Sequence, residues 1–257
     1  MTLRERFLRW HWILSAQFGF DVLRFLRSLR GLPRYFATLQ GFRSAYRGRL
    51  ELVPCLHDWT EEGGSTRDEY FWQDLLVARM VFKAKPQRHV DVGSRVDGFV
   101  AHVASFREIE VLDVRPMGSR VPGMTFRQAD LMQPRPDMEG YCDSLSCLHA
   151  LEHFGLGRYG DPVNPDGFKQ GLANLARLLK PKGMFYLSIP VGIERVEFNA
   201  QAVSDPRAVV RLASEQSLVL KDCVVIRPGD MPEPFAAGLE RLAAERYALG
   251  LFVFQKA

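Results

Sequence analysis

Two periodicities divide this chain. Through the first 30 residues Phe7, Trp10, Leu14 and Phe18 recur at helical spacing, and Val22, Phe25, Leu26 and Leu29 carry the stripe on, which predicts amphipathic helix. Gly31-Leu32-Pro33 predicts its end, and Gly41 and Gly48 bracket a second short basic segment. Residues 54–67 read as a polar loop, either a lid or a connector. Asp68–Lys83 predicts a helix that buries Tyr70, Trp72, Leu75, Leu76 and Met80. From there the pattern shortens into strands: His89–Val92, Ile109–Val114, Met124–Phe126, Ser144–Leu148, Met184–Ile189, Leu218–Ile226 and Leu249–Gln255. Helices are expected from near Val96, over Asp166–Lys180, where Pro181-Lys182-Gly183 stops the second, and over Pro206–Ser214.

Strands alternating with helices predict one α/β domain with a doubly wound, mostly parallel sheet. The first strand ends at Gly93, and about twenty residues later the second ends at Asp113. That order suits dinucleotide-type folds, in which the acid takes ribose hydroxyls. Gly93 and Gly98 fit the outer places of G-x-G-x-x-G, while Arg95 fills the middle one. Asp130 follows the third strand, where an acid can accept from an adenine amino group or stand solvated in a loop.

The segment after Leu148 gathers His149, Glu152, His153, Arg158, Tyr159, Asp161 and Asn164 among several glycines. Two histidines and a glutamate can move a proton or bind a metal, and a hydrogen-bonded structural histidine is the plain alternative. Nothing in the spacing demands a metal, and no metal is expected. Glu197-Phe198-Asn199-Ala200 is expected to pass over the same edge.

Composition adds a charge asymmetry. Residues 1–50 carry ten arginines against Glu5 and Asp21, while the whole chain of 257 residues has a net charge of +4. Basic residues between aromatics suit a helix resting on an anionic membrane surface, and a helical hairpin packed on the domain or on a second subunit is the competing reading. A nucleic-acid arm is disfavoured, because the aromatics form a helical stripe and lysine is absent from the first 80 residues. No apolar run is long enough to span a bilayer, and arginines stand where a signal peptide would be apolar, so a cytoplasmic protein, peripheral at most to the inner face of the membrane, is expected. The four cysteines show no metal or redox spacing. The expected division is a basic helical extension over 1–50 and an α/β domain over 51–257.

The order HVDVGS, LDV, QADL, SLSCLHALEH and LLKPKGMFYLSIP resembles the motifs of the class I S-adenosylmethionine-dependent methyltransferases over about residues 68–257. More narrowly, SLSCLHALEHFGLGRYGDPVNPDG with the later PVG and FNA is similar to a bacterial family known mainly as a domain of unknown function and often placed among cell-surface polysaccharide enzymes. Members of that family carry a histidine where Gln201 stands here. The resemblance implies a seven-stranded sheet and S-adenosylmethionine as cofactor, held by Asp91, Gly93, Ser94, Asp113, Asp130 and Leu148. It implies O-methylation of a glycan or nucleotide-sugar hydroxyl, with His153 or His149 as base and Asp161 or Glu152 orienting it. Arg158, Tyr159 and Asn199 would face the acceptor.

A second reading is a degenerate methyltransferase fold, its cofactor pocket obstructed by Arg95, serving as an interaction subunit of a glycan-assembly complex or as a homo-oligomer. A third is an enzyme of the same fold that methylates a small molecule or protein.

Overall fold

The computed structural model describes residues 3–59, 61, 63–234 and 238–257. Met1 and Thr2 of the expected first helix, and Thr60 and Glu62 of the expected 54–67 loop, lie outside the described residues. The chain divides into two compact units, Met1–Ser65 and Thr66–Ala257, a boundary later than the 50/51 break read from composition.

The first unit holds α1 (Leu3–Phe18) and α2 (Val22–Ala45). The helix break therefore falls at residues 19–21 and not at Gly31-Leu32-Pro33, which corrects the expectation. Asp21 starts α2 by accepting from the Arg24 backbone N–H at 2.8 Å, and His11 reaches the same carboxylate oxygen at 2.9 Å. Pro33 lies inside α2 and removes one ladder hydrogen bond. The helix nonetheless continues, because the stripe Phe25, Leu29, Leu32, Phe36 keeps its helical phase across the proline. Gly31 is buried, and a Cβ there would overlap the Leu56 carbonyl oxygen. Only glycine permits that approach.

The second unit begins with α3 (Glu69–Ala84), started by the Asp68 carboxylate accepting from Tyr70 N–H. Its buried face is Gln73, Asp74, Val77, Ala78 and Val81, rotated from the expected one. Gln73 and Asp74 go inside because they find partners. The Gln73 amide donates to Asp74 at 3.1 Å and its carbonyl accepts from the Ser188 hydroxyl.

β1 (His89–Val92), a wide helical turn over Val96–Val100, α4 (Ala101–Ala104), β2 (Ile109–Asp113), β3 (Met124–Gln128) and β4 (Cys142–Leu148) follow. Next come α5 (Gly167–Leu178), β5 (Leu179–Val191), β6 (Arg195–Glu197), β7 (Gln201–Val203) and α6 (Pro206–Glu215). The chain ends with β8 (Leu218–Ile226), β9 (Glu233–Pro234), α7 (Leu239–Ala243) and β10 (Ala248–Lys256). The Lys-Pro-Lys-Gly turn does not precede β5 but interrupts it: Leu179 pairs with Cys142, the register shifts, and pairing resumes at Met184. The main sheet has eight strands in the order β3-β2-β1-β4-β5-β10-β8-β9, one more than expected because the two-residue β9 joins its edge. β1 to β5 pair in parallel, and β10 runs antiparallel between β5 and β8.

One core cluster packs Leu172 and Leu175 of α5, Val209 and Ala213 of α6 and Leu242 of α7 on one face of the sheet. The other packs Val77 and Val81 of α3 with Phe99 and Val103 on the opposite face. With both faces covered, the central strands are buried along almost their whole length. Strand order reverses between β1 and β4, so the carboxyl ends of β1 to β4 splay around a crevice, the usual ligand position in such sheets.

Phe252 of β10 is fully buried and stacks on Phe254 at 5.8 Å between ring centroids. Phe252→Ala should cost about 3–5 kcal/mol in reversible urea unfolding, and a loss below about 1 kcal/mol would show that the face repacks.

Candidate functional site

A cleft opens at that reversal, lined by Gly93 after β1, Asp113 and Arg115 after β2, Asp130 and Met132 after β3, and Ala150, His153, Arg158 and Tyr159 after β4. Tyr70 of α3 and Arg95 line its side. Gly93 has a φ of +72°, which suits glycine, and a Cβ there would sit 2.8 Å from that of Ala150. The cleft holds about 200 Å³, less than most small-molecule sites, which run to several hundred.

Two carboxylates stand at its floor. Asp113 is engaged by Arg115, whose Nη2 and Nε donate at 2.6 and 3.0 Å and whose backbone N–H donates at 2.8 Å. The same guanidinium lies 4.5 Å over the Tyr159 ring, so Arg115 bridges the two sides of the cleft. Asp130 accepts from the Met132 backbone N–H at 2.9 Å through one oxygen. Arg95 turns outward, donating to Asp97 at 2.9 and 3.1 Å and stacking over Tyr70 at 5.1 Å, with half its side chain exposed.

Part of the wall is a buried charge cluster. His149 adopts a left-handed backbone (φ +51°) while its N–H donates to Ser188 of β5 at 3.0 Å, so the sheet holds the strained turn. Its ring contacts Glu152 through Nδ1 at 2.7 Å and Glu69 through Nε2 at 3.3 Å, and stacks on Tyr70 at 4.5 Å. Tyr247 donates to Glu69 at 2.6 Å. Burial opposes charge on His149, but the two glutamates outweigh it and raise its pKa to about 9. The same environment pushes Tyr70 up to about 12, by burial first and then by Glu152 and Glu69.

His153 differs. Burial, with Arg158 nearby, lowers its pKa against the pull of Glu152, so it is neutral at physiological pH. Its Nε2 lies 3.9 Å from the glutamate oxygen that binds His149, and its Nδ1 lies 3.4 Å from Arg158. One carboxylate thus serves two imidazoles, one cationic and one neutral.

Of the residues singled out by sequence, Gly93, Asp113, Asp130, His149, His153, Arg158, Tyr159 and Asp161 all line the cleft. Asp91, Ser94, Leu148 and Glu152 are buried behind it and reach it only through neighbours. Asp161 does not orient His153: its carboxylate accepts from the Tyr159 and Gly155 N–H groups at 3.0 and 3.2 Å and so shapes the loop. Asn199 is exposed between β6 and β7 and does not line the cleft, although the neighbouring Ala200 carbonyl accepts from Arg158 at 2.8 Å. His149, being protonated at neutral pH, has no lone pair to act as base there. Tyr70 was expected in the core and instead faces the cleft, and Glu69, Arg115 and Tyr247 carried no signal. Among the described residues no group of His, Cys, Asp or Glu is placed to hold a metal ion.

Residues 124–214, from β3 through α6, match a family profile described as a Caenorhabditis protein of unknown function, DUF268. That description mentions neither bacteria nor polysaccharide and lends the narrower resemblance no support. No curated protein matches the chain. Among solved structures, a proposed sarcosine dimethylglycine methyltransferase from Galdieria sulphuraria is similar at 16% identity, over 72% of this chain and 85% of that one, with a TM-score of 0.50. The N-methyltransferase NodS of Bradyrhizobium japonicum, in complex with S-adenosyl-L-homocysteine, is similar at 13% identity over 72% and 85%, with a TM-score of 0.48. At such identities the likeness is one of fold, and the fold of the second unit is that of the class I methyltransferases.

Because the folded pKa of His149 lies above the ordinary value, its charge stabilises the fold fully below pH 6.5, and this contribution disappears as pH rises to about 9. Asp91, raised to about 7 by burial, costs stability as pH rises to that value and so into the lower end of the same range, while Asp74, raised to about 6, does so below it; both act in wild type and variant alike. The difference in unfolding free energy between the wild type and His149→Gln should therefore shrink from pH 6.5 to 9 and level off above. A difference that is flat over that range would show that His149 is not cationic.

Proposed function

We propose that the cleft takes S-adenosylmethionine and that the chain transfers its methyl group to an oxygen, with a sugar hydroxyl of a glycan or nucleotide-sugar as acceptor. The observation that carries this reading is the convergence, at the reversal of strand order, of Gly93, two carboxylates at the ends of β2 and β3, and a neutral histidine. The donor set suits the cofactor. Asp113 is an acceptor for ribose hydroxyls, Asp130 has an oxygen free of protein partners for an adenine amino group, and backbone at Gly93 is open to close approach. A neighbour in fold, the Galdieria sulphuraria protein, is named as a proposed methyltransferase, and the sequence motifs resemble the same superfamily. The sugar acceptor rests on the narrower sequence resemblance alone.

Bound there, the cofactor would supply an electrophilic methyl group on a sulfonium sulfur. The protein has then to orient the acceptor, exclude water and receive one proton. His153, neutral and at the cleft wall, would receive it. A sugar hydroxyl is far less acidic than imidazolium, so the proton moves as the carbon–oxygen bond forms and not before it. Glu152, 3.9 Å away, stabilises the imidazolium so produced, while His149 holds that carboxylate in place. Arg158 and Tyr159, fixed by Ala200 and Asp161, offer an N–H donor and an aromatic face to the acceptor.

Ribose contact at Asp113 requires Arg115 to give way, which would also free Tyr159 and widen the cleft. This pairing favours the one alternative carried forward, a degenerate fold in which Arg115 keeps the acid closed and the chain serves as an interaction subunit.

Calorimetric titration with S-adenosylhomocysteine should give micromolar binding to the wild type and at least about tenfold weaker binding to Asp113→Ala, as for a lost hydrogen bond to a charged group. His153→Ala should keep that affinity and lose about 10²–10⁴-fold in methyl transfer. A folded wild type that does not bind would move the assignment to the interaction subunit. Full turnover in His153→Ala would remove the histidine as base.

A further inference from the structure

The arginines and aromatics of the first unit are arranged in a way the cleft does not use. On α2, Phe25, Leu29, Leu32 and Phe36 follow one another at three- and four-residue steps and share a face, while Arg24, Arg27, Arg30 and Arg34 fall on the remaining arc. Part of the arginine side is met by this unit's own chain. Gly31 abuts Leu56, the Arg34 guanidinium lies 4.6 Å over the Trp59 ring, and Arg27 reaches Glu61 at 3.9 Å. The aromatic side has no such cover: Phe25 is 51% and Phe36 59% exposed. On α1, Trp10 and Phe18 are 65% and 74% exposed.

Large apolar side chains are thus left open on both helices, and exposed apolar side chains gathered on one helix face mark an interaction surface. Charge selects the occupant. The first 50 residues carry ten arginines, no lysine and two acids. Two copies would each carry the same excess of positive charge, which disfavours their pairing, whereas an anionic surface attracts it. Among the described residues no helix is long and apolar enough to cross a membrane.

We infer that α1 and α2 seat this protein on an anionic lipid bilayer, with Phe25, Leu29 and Phe36 entering the headgroup boundary and the excess positive charge of the segment drawing it to the surface. A helix with a strongly basic polar face and an aromatic apolar face lies in the interface in this way. Attraction to the surface decays within a Debye length, about 10 Å at 0.1 M salt and about 3 Å at 1 M. The inference is independent of the chemistry assigned to the cleft.

The full-length protein should sediment with phosphatidylcholine vesicles containing phosphatidylglycerol and not with phosphatidylcholine alone, and 1 M salt should weaken that binding at least about tenfold. Phe25→Ser with Phe36→Ser should lower binding to anionic vesicles by at least about tenfold while circular dichroism stays unchanged, because both residues are exposed. Arg24→Gln with Arg30→Gln should flatten the salt dependence. Equal binding to neutral vesicles, no binding, or stripe variants that bind as the wild type does would each overturn the inference. So would a dimer in light scattering that the stripe variants abolish in a protein that ignores vesicles.

Discussion

A carboxylate with no access to solvent holds the two sides of the crevice together. Asp91, in β1, accepts from the backbone N–H and hydroxyl of Ser94 in the following turn and from the hydroxyl of Ser146 in β4. The Ser94 oxygen in turn accepts from Leu148 N–H at the end of β4. Burial pushes Asp91 up to about 7 against the pull of those donors. His89 continues the chain from the other side, contacting Ser144 and Ser146, and burial lowers its pKa to about 3. A polar row of this kind, satisfied at every link shown, fixes the spacing of β1 and β4 where strand order reverses. Gly93 and the segment from His149 to Asp161, which line the cleft, follow directly from those two strand ends.

His149 and His153 follow directly from the strand so fixed, and their difference comes from what each meets. His149 turns inward between glutamates from α3 and from its own loop, and is cationic. His153 meets an arginine as well as the shared glutamate, and is neutral. Either residue alone would read as a base candidate; in the proposed reading His153 is the base and His149 the charged strut that holds its carboxylate partner. Breaking a buried pair of this kind strands a charge, so the cluster supports the fold as well as the site.

The strands were legible because a parallel sheet covered on both faces writes itself as short apolar runs ended by glycine or acid, as at Val90-Val92-Gly93 and at Leu112-Asp113. Helix boundaries in the first unit were less legible. Gly31-Leu32-Pro33 looks like a terminator, yet tertiary approach of Leu56 to Gly31 and an unbroken apolar phase overrode it. The floor of the cleft, Gly93, Asp113 and Asp130, could be placed because each lies at the end of a recognisable strand. The wall could not, because Glu69, Tyr70 and Tyr247 are brought to His149 by the docking of α3 and the entry to β10, far away in sequence. Arg115 stands two residues after Asp113, and no local pattern announces that its side chain would fold back onto the acid. Asn199 was misplaced because the β6–β7 hairpin presents a backbone carbonyl, not that side chain, to Arg158.

The central claim is that a nucleoside-bearing methyl donor sits over Asp113 and Asp130 with its reactive end toward His153. Ultraviolet cross-linking of radiolabelled S-adenosylmethionine to the intact protein, followed by mapping of the labelled peptides, tests it most directly. Label in the segments 113–115 or 149–159, displaced by excess S-adenosylhomocysteine, is the predicted result. Label elsewhere in the chain, or label that the competitor does not displace, would contradict it.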